Sequence, residues 1–208
     1  MDLKIYNTGF LGVNTYLLTD EISKESIIVD LGGDFEPIIK DIEKFGYKLK
    51  FILNTHGHFD HIYGEGKFQE KYPNIPIYMS KNDIQHVEKM QDDLNMWGIN
   101  TNAVIVKPTK FIDESTNLYI GNSKIHIYET PGHSKGGLCY HIENILFSGD
   151  TLFQRSIGRT DFYGGDYDTI INSIKTKLLI LDDNTSVYPG HGPKTTIGEE
   201  KKYNSYII

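Results

Sequence analysis

The sequence predicts a mixed α/β fold. Short runs rich in β-branched residues, bounded by turn residues, alternate with segments whose apolar residues recur at helical spacing, which is typical of α/β and α+β domains. The composition, 38% hydrophobic, 12% aromatic and 24% charged, is that of a chain with a core and excludes disordered and collagenous proteins. No linker interrupts the 208 residues, so we expect one domain over residues 1–208.

The first elements are predicted to be a strand pair, a helix and a third strand. Val13–Leu18 and Ser26–Val29 are strand-like and are joined by a polar turn. Apolar residues then recur at helical spacing from Ile38 to Phe45, with Pro37 in the first turn and Gly46 after the end. The short apolar run Phe51–Leu53 predicts a buried strand.

The middle of the chain predicts one further strand, one helix and a long irregular segment. Ile75–Met79 is strand-like. Ser80, with Asp83 three residues later, predicts the capped start of a helix that carries Ile84, Val87 and Met90. Residues 91–110 show no clean period, so we expect a loop or insertion that covers one face.

The second half predicts three strands and one long helix. Lys124–Tyr128, Gly137–Ile142 and Ile145–Phe147 are strand-like. Tyr167–Leu181 carries an apolar stripe at helical spacing. Cys139 lies within the second of these strands, where a small core residue is its simplest interpretation.

Charge and cysteine content bear on partners and compartment. The formal charge of −7, from 28 acidic and 21 basic residues, disfavours a nucleic-acid partner because the basic residues are scattered. The single cysteine cannot close an intrachain disulfide, and no signal peptide or long apolar segment is visible. We therefore expect a cytoplasmic protein that does not bind membranes.

One short segment is unusually rich in metal-binding side chains. His56, His58, Asp60 and His61 form the pattern H-x-H-x-D-H directly after the predicted strand Phe51–Leu53. Imidazole and carboxylate are ligands that Zn, Fe and Mn favour. A polar turn that is histidine-rich by chance is the weaker interpretation.

Three later segments add single candidates in glycine-rich turns. These are Pro131-Gly132-His133, Gly149-Asp150 and Pro189-Gly190-His191-Gly192. Glycine beside a ligand lets the backbone turn sharply. With the first four, the set has seven members, which exceeds what one ion needs and suits two ions that share a carboxylate.

The remaining histidines and Asp30 are interpreted more conservatively. We expect no metal role for His86, His126 and His141, because a single histidine is more often packed or exposed than a ligand. Asp30 either supports a ligand histidine from behind or forms a turn.

The ordered motifs resemble those of the metallo-β-lactamase-fold hydrolases over nearly the whole chain. They are T-H-G-H-F-D-H at 55–61, P-G-H-S at 131–134, S-G-D-T-L-F at 148–153 and Y-P-G-H-G-P at 188–193. The stretch from Gly149 to Asp161 looks most like that of the short bacterial glyoxalase II-like (hydroxyacylglutathione hydrolase-like) proteins. The resemblance implies a four-layer αββα sandwich with metals at one edge between the sheets.

The resemblance also implies roles for individual residues. His56, His58 and His133 would hold one ion, Asp60, His61 and His191 the other, and Asp150 would bridge them. Arg159 falls where the family places a basic substrate-binding residue, and a solvated surface arginine is the alternative. Asp60 would also orient the attacking group, so Asp60 and Asp150 are the expected catalytic carboxylates.

The implied reaction is hydrolysis by a hydroxide that bridges two divalent metal ions, with Zn first and Fe or Mn as alternatives. A thiolate leaves without strong protonation, and the sequence offers no obvious lysine or histidine as general acid, so a small-molecule thioester such as S-lactoylglutathione is the expected substrate. True metallo-β-lactamases generally lack an aspartate at position 150. Only about a dozen residues follow Thr196, so we expect no helical C-terminal domain of the kind that contacts glutathione in glyoxalase II.

Other functions remain open on the same motifs. Persulfide dioxygenases resemble this pattern and bind one iron through two histidines and an aspartate, here His56, His133 and Asp150. Lactonase, phosphodiesterase and a non-enzymatic, metal-stabilised module are further alternatives. The metal, the acyl group, the thiol and the oligomeric state are not specified by the sequence.

Overall fold

Two six-stranded β-sheets face each other at the centre of the fold. The computed structural model describes all 208 residues. The first sheet has its strands in chain order: β1 Asp2–Thr8, β2 Val13–Thr19, β3 Glu25–Val29, β4 Lys48–Leu53, β5 Ile77–Met79 and β6 Lys110–Phe111. β1, β2 and β3 pair antiparallel, whereas β3 to β6 pair parallel.

The second sheet is mostly antiparallel. Its strands are β7 Leu118–Ile120, β8 Ser123–Glu129, β9 Leu138–Ile142, β10 Ile145–Gly149, β13 Ser186–Pro189 and β14 Thr195–Thr196. They lie in the order β14-β13-β10-β9-β8-β7, and only β10 and β13 pair parallel. A small separate hairpin is formed by β11 Leu152–Phe153 and β12 Ser156–Ile157.

Helices cover the outer face of each sheet. Five lie in the first half: α1 Glu36–Phe45, α2 Phe59–Ile62, α3 Glu65–Lys71, α4 Ile84–Glu88 and α5 Met90–Met96. Two lie in the second half: α6 Tyr167–Ser173, which continues as a π-helical segment over Ile174–Leu178, and α7 Ile197–Tyr203. No helix combines the length and apolar character needed to cross a bilayer.

Alternation along β4 shows how the layers pack. Phe51 and Leu53 belong to the core between the two sheets, where they meet residues such as Tyr140 and Phe147 of the second sheet. Ile52 points the other way, into the core beneath α1 and α3. A third core packs the second sheet against α6 and α7. The predicted four-layer αββα sandwich is confirmed.

The two sheets are tied together at one edge. The backbone N–H of Leu138 donates to the Thr55 carbonyl at 2.7 Å, and that of Asn14 donates to the Gly190 carbonyl at 2.7 Å. The Tyr140 hydroxyl donates to the Asn54 carbonyl at 2.6 Å. The loops that follow β4, β8, β10 and β13 therefore meet at this edge.

Most predicted elements are present, with several corrections. The elements that were not predicted include β1, β7, β11 to β14, α2, α3 and α7. The segment 91–110 is not wholly irregular, because α5 extends to Met96 and β6 begins at Lys110. Ser80 caps only a 3-10 turn over Lys81–Asp83, through the Asn82 N–H, and Asp83 is not its capping partner.

Candidate metal centre

All seven predicted ligand residues lie together at the joined edge of the two sheets. The loop after β4 carries His56 to His61, and single residues follow β8, β10 and β13. Three overlapping groups have potential ligand atoms within 4.8 Å of one another: His56, His58 and His133; His56, His61 and Asp150; and Asp60, His61 and His191. The structure thus brings together residues up to 135 positions apart (191 − 56).

In three of the histidines, Nδ1 contacts a neighbouring protein group, whereas Nε2 has no hydrogen-bond partner. His61 Nδ1 lies 2.8 Å from the Asp30 carboxylate, and His133 Nδ1 lies 2.8 Å from the Arg159 carbonyl. Both partners only accept, so each Nδ1 must carry the proton. His56 Nδ1 lies 3.1 Å from the Thr55 hydroxyl, which itself donates to Asp30 and so accepts from the ring.

The opposite nitrogens of these rings fit a metal. The Nε2 atoms of His56, His61 and His133 are buried and have no hydrogen-bond partner. A buried polar atom without a partner costs about 1–3 kcal/mol. With the proton on Nδ1, the Nε2 of His56 and that of His133 present a lone pair, the form of imidazole that binds a cation. Burial opposes the charged form of His61, but Asp150, Asp60 and Asp30 raise its pKa well above the ordinary histidine value, so a cation that binds there displaces the Nε2 proton. The donor set therefore fits divalent metal ions, whose identity it does not specify.

The two carboxylates lie between the histidines. Asp150 Oδ1 is 3.4 Å from His61 Nε2, and its Oδ2 is 3.6 Å from His133 Nε2 and 3.8 Å from His191 Nε2. Asp60 Oδ2 lies 3.1 Å from His191 Nε2. One carboxylate thus faces both halves of the cluster, the position that the resemblance gave to Asp150.

The electrostatics separate neutral from charged groups. Burial, reinforced by neighbouring imidazoles, lowers the pKa of His56 and of His58 well below the ordinary histidine value. Burial alone would raise the pKa of Asp60, but His61 and His191 hold it below its ordinary value. Burial likewise opposes ionisation of Asp150, yet His61 and His133 lower its pKa. Both carboxylates are therefore anionic at neutral pH.

Two buried aspartates support the ligand loops. Asp30 both occupies a turn, with φ of 54°, and binds Thr55 and His61, so both interpretations of it apply. Asp83 accepts from the Gly57 N–H at 2.9 Å, the Gly136 N–H at 2.6 Å and the Ser134 hydroxyl at 2.7 Å. Sequence reasoning missed this role of Asp83, because its partners lie in two distant loops.

An open cleft of about 550 Å³ adjoins the cluster. Its lining includes Arg159, whose guanidinium already donates to Asp161 at 2.9 and 2.7 Å and lies 4.0 Å from the Phe162 ring centre. His86 also lines it, with its ring centre 4.5 Å from that of His58 and no hydrogen bond to protein. The sequence offered no obvious lysine or histidine as general acid, and the structure adds that His86 and Lys89 both line this cleft.

The remaining predictions lie away from the centre. His126 and His141 oppose each other across β8 and β9, and no potential metal group includes them or His86. Cys139 is fully buried, as expected of a core residue.

Comparison with known protein families matches residues 8–191 to the metallo-beta-lactamase superfamily. The chain belongs to the metallo-beta-lactamase superfamily. Its relatives in this superfamily include "Hydroxyacylglutathione hydrolase GloC" of Haemophilus influenzae, 35% identical over 210 residues, which span 100% of this chain and 98% of the relative.

Two solved structures are similar to this chain over almost their whole length. BLEG-1, described as a B3 metallo-beta-lactamase, has a TM-score of 0.84 and 35% identity, over 99% of each chain. TTHA1623 in a di-iron-bound form has a TM-score of 0.87 and 30% identity, over 98% of this chain and 99% of that one. The chain therefore has the same fold as both structures and matches them over nearly its whole length.

Proposed function

We propose that this protein is a metal-dependent hydrolase of thioesters, with S-lactoylglutathione as the first candidate substrate and two divalent cations, Zn before Fe or Mn, in its site. The observation that carries the proposal is the convergence of three unpartnered, buried Nε2 atoms with the Asp150 carboxylate. The full-length likeness to a hydroxyacylglutathione hydrolase supports the thioester. TTHA1623, which is di-iron-bound, supports two ions.

The proposed ligands fall into two sets. His56, His58 and His133 would hold one ion, whereas Asp60, His61 and His191 would hold the other. Asp150 would serve both, because its two oxygens face different histidines. Bound divalent ions lower the pKa of water from 15.7 towards about 7 and polarise a carbonyl.

Residues of the chain position the reactants. Asp60, anionic because His61 and His191 lower its pKa, can accept a hydrogen bond from the attacking water and orient it. The apolar residues of the cleft offer a surface against which the groups that flank the thioester can pack. Arg159 remains a candidate contact for a substrate carboxylate, which would have to compete with Asp161. A thiolate leaving group, with a pKa near about 8.5, needs little protonation.

The test uses Asp150→Ala and His58→Ala, with His126→Ala as a control outside the site. We expect each of the first two to lose at least about 100-fold in kcat/KM for S-lactoylglutathione, because ligand loss removes transition-state stabilisation. His126→Ala should match the wild type, since His126 is exposed on β8. Wild-type turnover by either ligand variant would refute the assignment.

The same preparation separates the rival functions. About two metals per chain with hydrolysis and no oxygen uptake supports the thioesterase. One iron per chain with oxygen consumption on glutathione persulfide would instead support a dioxygenase that uses His56, His133 and Asp150. A lactone, a phosphodiester and a β-lactam complete the substrate panel.

A further inference from the structure

The cleft beside the metal centre is lined by both polar and apolar side chains. The candidate ligand residues His58, Asp60, His133, Asp150 and His191 are among its polar lining. Its apolar lining includes a set here called the aromatic wall: Leu11, Phe59, Met96, Trp97, Phe153 and Ile157. A volume of about 550 Å³ is within the range of pockets that bind small molecules.

The aromatic wall begins at the centre itself and extends outwards. Phe59 lies in sequence between His58 and Asp60, and its ring centre is 6.1 Å from that of Trp97. Trp97 is 44% exposed and Met96 is 71% exposed. Large apolar side chains that are grouped and open to solvent mark a binding surface. A group attached to a carbonyl at the centre therefore has apolar surface available within the same cleft.

The charged groups of the cleft are poorly suited to a highly charged ligand. Arg159 is bound through one guanidinium edge, Nε and Nη2, to both carboxylate oxygens of Asp161. Lys89 is the remaining cation of the lining, and its ammonium lies 5.1 Å from the Tyr163 ring centre. The wall offers no pair of free cations for the two carboxylates of a glutathione moiety.

We propose that the cleft selects thioesters that carry an extended apolar group, a straight alkyl chain or an aromatic ring, packed on the aromatic wall. The inference rests on the proposed thioester hydrolysis and names its substrate class. In that reaction the oxygen of water attacks the acyl carbon and the C–S bond breaks with its electron pair on sulfur. The products are a carboxylate, a thiol and one proton.

A homologous substrate series tests the proposal. The substrates are the S-acetyl, S-butyryl and S-hexanoyl esters of N-acetylcysteamine, with S-lactoylglutathione for comparison. We expect kcat/KM to rise about threefold to fourfold for each added methylene that is buried. Trp97→Ala should flatten this dependence, whereas Tyr119→Ala, an exposed aromatic on β7 outside the cleft, should leave it unchanged.

A binding measurement makes the test independent of turnover. Trp97 is the only tryptophan, so intrinsic fluorescence of the metal-loaded protein reports on the aromatic wall. The probes are the non-hydrolysable thioethers S-methyl- and S-hexyl-N-acetylcysteamine. We expect a saturable emission change with the hexyl probe at least tenfold tighter than with the methyl probe.

The outcomes separate the two proposals. Hydrolysis without chain-length dependence, together with equal affinity for both thioethers, would overturn the apolar selectivity and leave the thioesterase standing. Hexyl-selective binding without hydrolysis of any thioester would refute the proposed reaction but support an apolar ligand site. A preference for S-lactoylglutathione over S-hexanoyl-N-acetylcysteamine that survives Trp97→Ala would also overturn the selectivity.

Discussion

Individual side chains orient the histidine rings of the centre by contacting Nδ1, the ring nitrogen opposite the one that faces the centre. Asp30 accepts from His61, and through Thr55 it also influences His56. Such contacts set the tautomer and the ring orientation before any ion arrives. One buried carboxylate thus prepares two ligands on the loop that follows β4.

Asp30→Asn is expected to weaken metal binding about 10- to 100-fold without unfolding the protein. Asparagine tolerates the positive φ of 54° at this position, so the turn should persist. Asparagine has one side-chain oxygen, so it cannot accept from both the N–H and the hydroxyl of Thr55 as the two oxygens of Asp30 do. It also places no negative charge beside His61. Competition with a chromophoric chelator measures the affinity. Asp34→Asn, an exposed residue of the same loop, is the control, and equal affinities in the two variants would contradict the prediction.

A second buried carboxyl makes stability depend on pH. Burial raises the pKa of Glu65 well above its ordinary value, and Asn54 Nδ2 donates to it at 2.9 Å. The folded state therefore retains a proton that the unfolded chain releases near pH 4.5. Unfolding then becomes easier as the pH rises from this value towards the folded-state pKa.

Glu65→Gln removes this dependence, because the amide cannot ionise and its oxygen still accepts from Asn54. We expect the unfolding free energy of the variant, relative to wild type, to increase by at least about 1 kcal/mol between pH 5 and pH 8. Urea denaturation of chelator-treated proteins measures it. A difference that is constant across this range would show that Glu65 does not carry a shifted proton.

The sequence identified the residues that converge at the site better than the residues that hold them in place. His56 to His61 could be recognised because their spacing is local, and His133, Asp150 and His191 because each lies in a similar glycine-rich turn. Asp83 and His86 could not be recognised in this way. Asp83 binds donors 26 and 53 positions away, and His86 reaches the cleft only because α4 packs beside the ligand loop.

Short loops place the last ligands with little free space. A methyl group on Gly190 would overlap Asp150 Oδ1 and His61 Cε1, two atoms of the cluster. By contrast, a methyl group on Gly192 would meet nothing within 4 Å, although its φ of 74° disfavours a side chain. The two glycines flank His191, but a side chain is disfavoured by crowding at Gly190 and by backbone conformation at Gly192.

Gly190→Ala should therefore lower bound metal per chain at least tenfold, because it displaces two ligands at once. Gly192→Ala should retain metal and lose about 1 kcal/mol of stability through backbone strain alone. Elemental analysis and urea denaturation of the pair distinguish the effects. Full metal loading of Gly190→Ala would show that the loop after β13 adjusts more readily than its packing indicates.

At the level of helices and strands, prediction failed where the apolar pattern is thin. Thr8 is the only buried residue of β1, because β1 is an edge strand and pairs with only one other strand. α5 buries only Met90 and Leu94, so its seven residues carry too little periodicity. Elements with strong faces, such as α1 with buried Ile38, Ile39 and Ile42, were predicted correctly.

At the scale of the whole molecule, the candidate metal centre connects the two sheets. The residues proposed as its ligands come from the loop after β4 in the first sheet and from loops after β8, β10 and β13 in the second. Several buried Nε2 atoms of this cluster have no hydrogen-bond partner in the protein, which opposes folding unless a cation binds them. Ions that bind only the folded arrangement therefore stabilise it.

Chelation is expected to lower the melting temperature. At a free-metal concentration about 100 times Kd, binding contributes about 2.7 kcal/mol, and in a chain of this size that corresponds to a fall of about 5–10 °C. Differential scanning calorimetry before and after chelation, with metal content verified, measures it. Asp150→Asn should show a much smaller difference, because it removes the carboxylate shared by both halves of the cluster. An unchanged melting temperature in the wild type after verified removal would mean that backbone contacts such as Leu138 to Thr55 hold the sheets together without the ions.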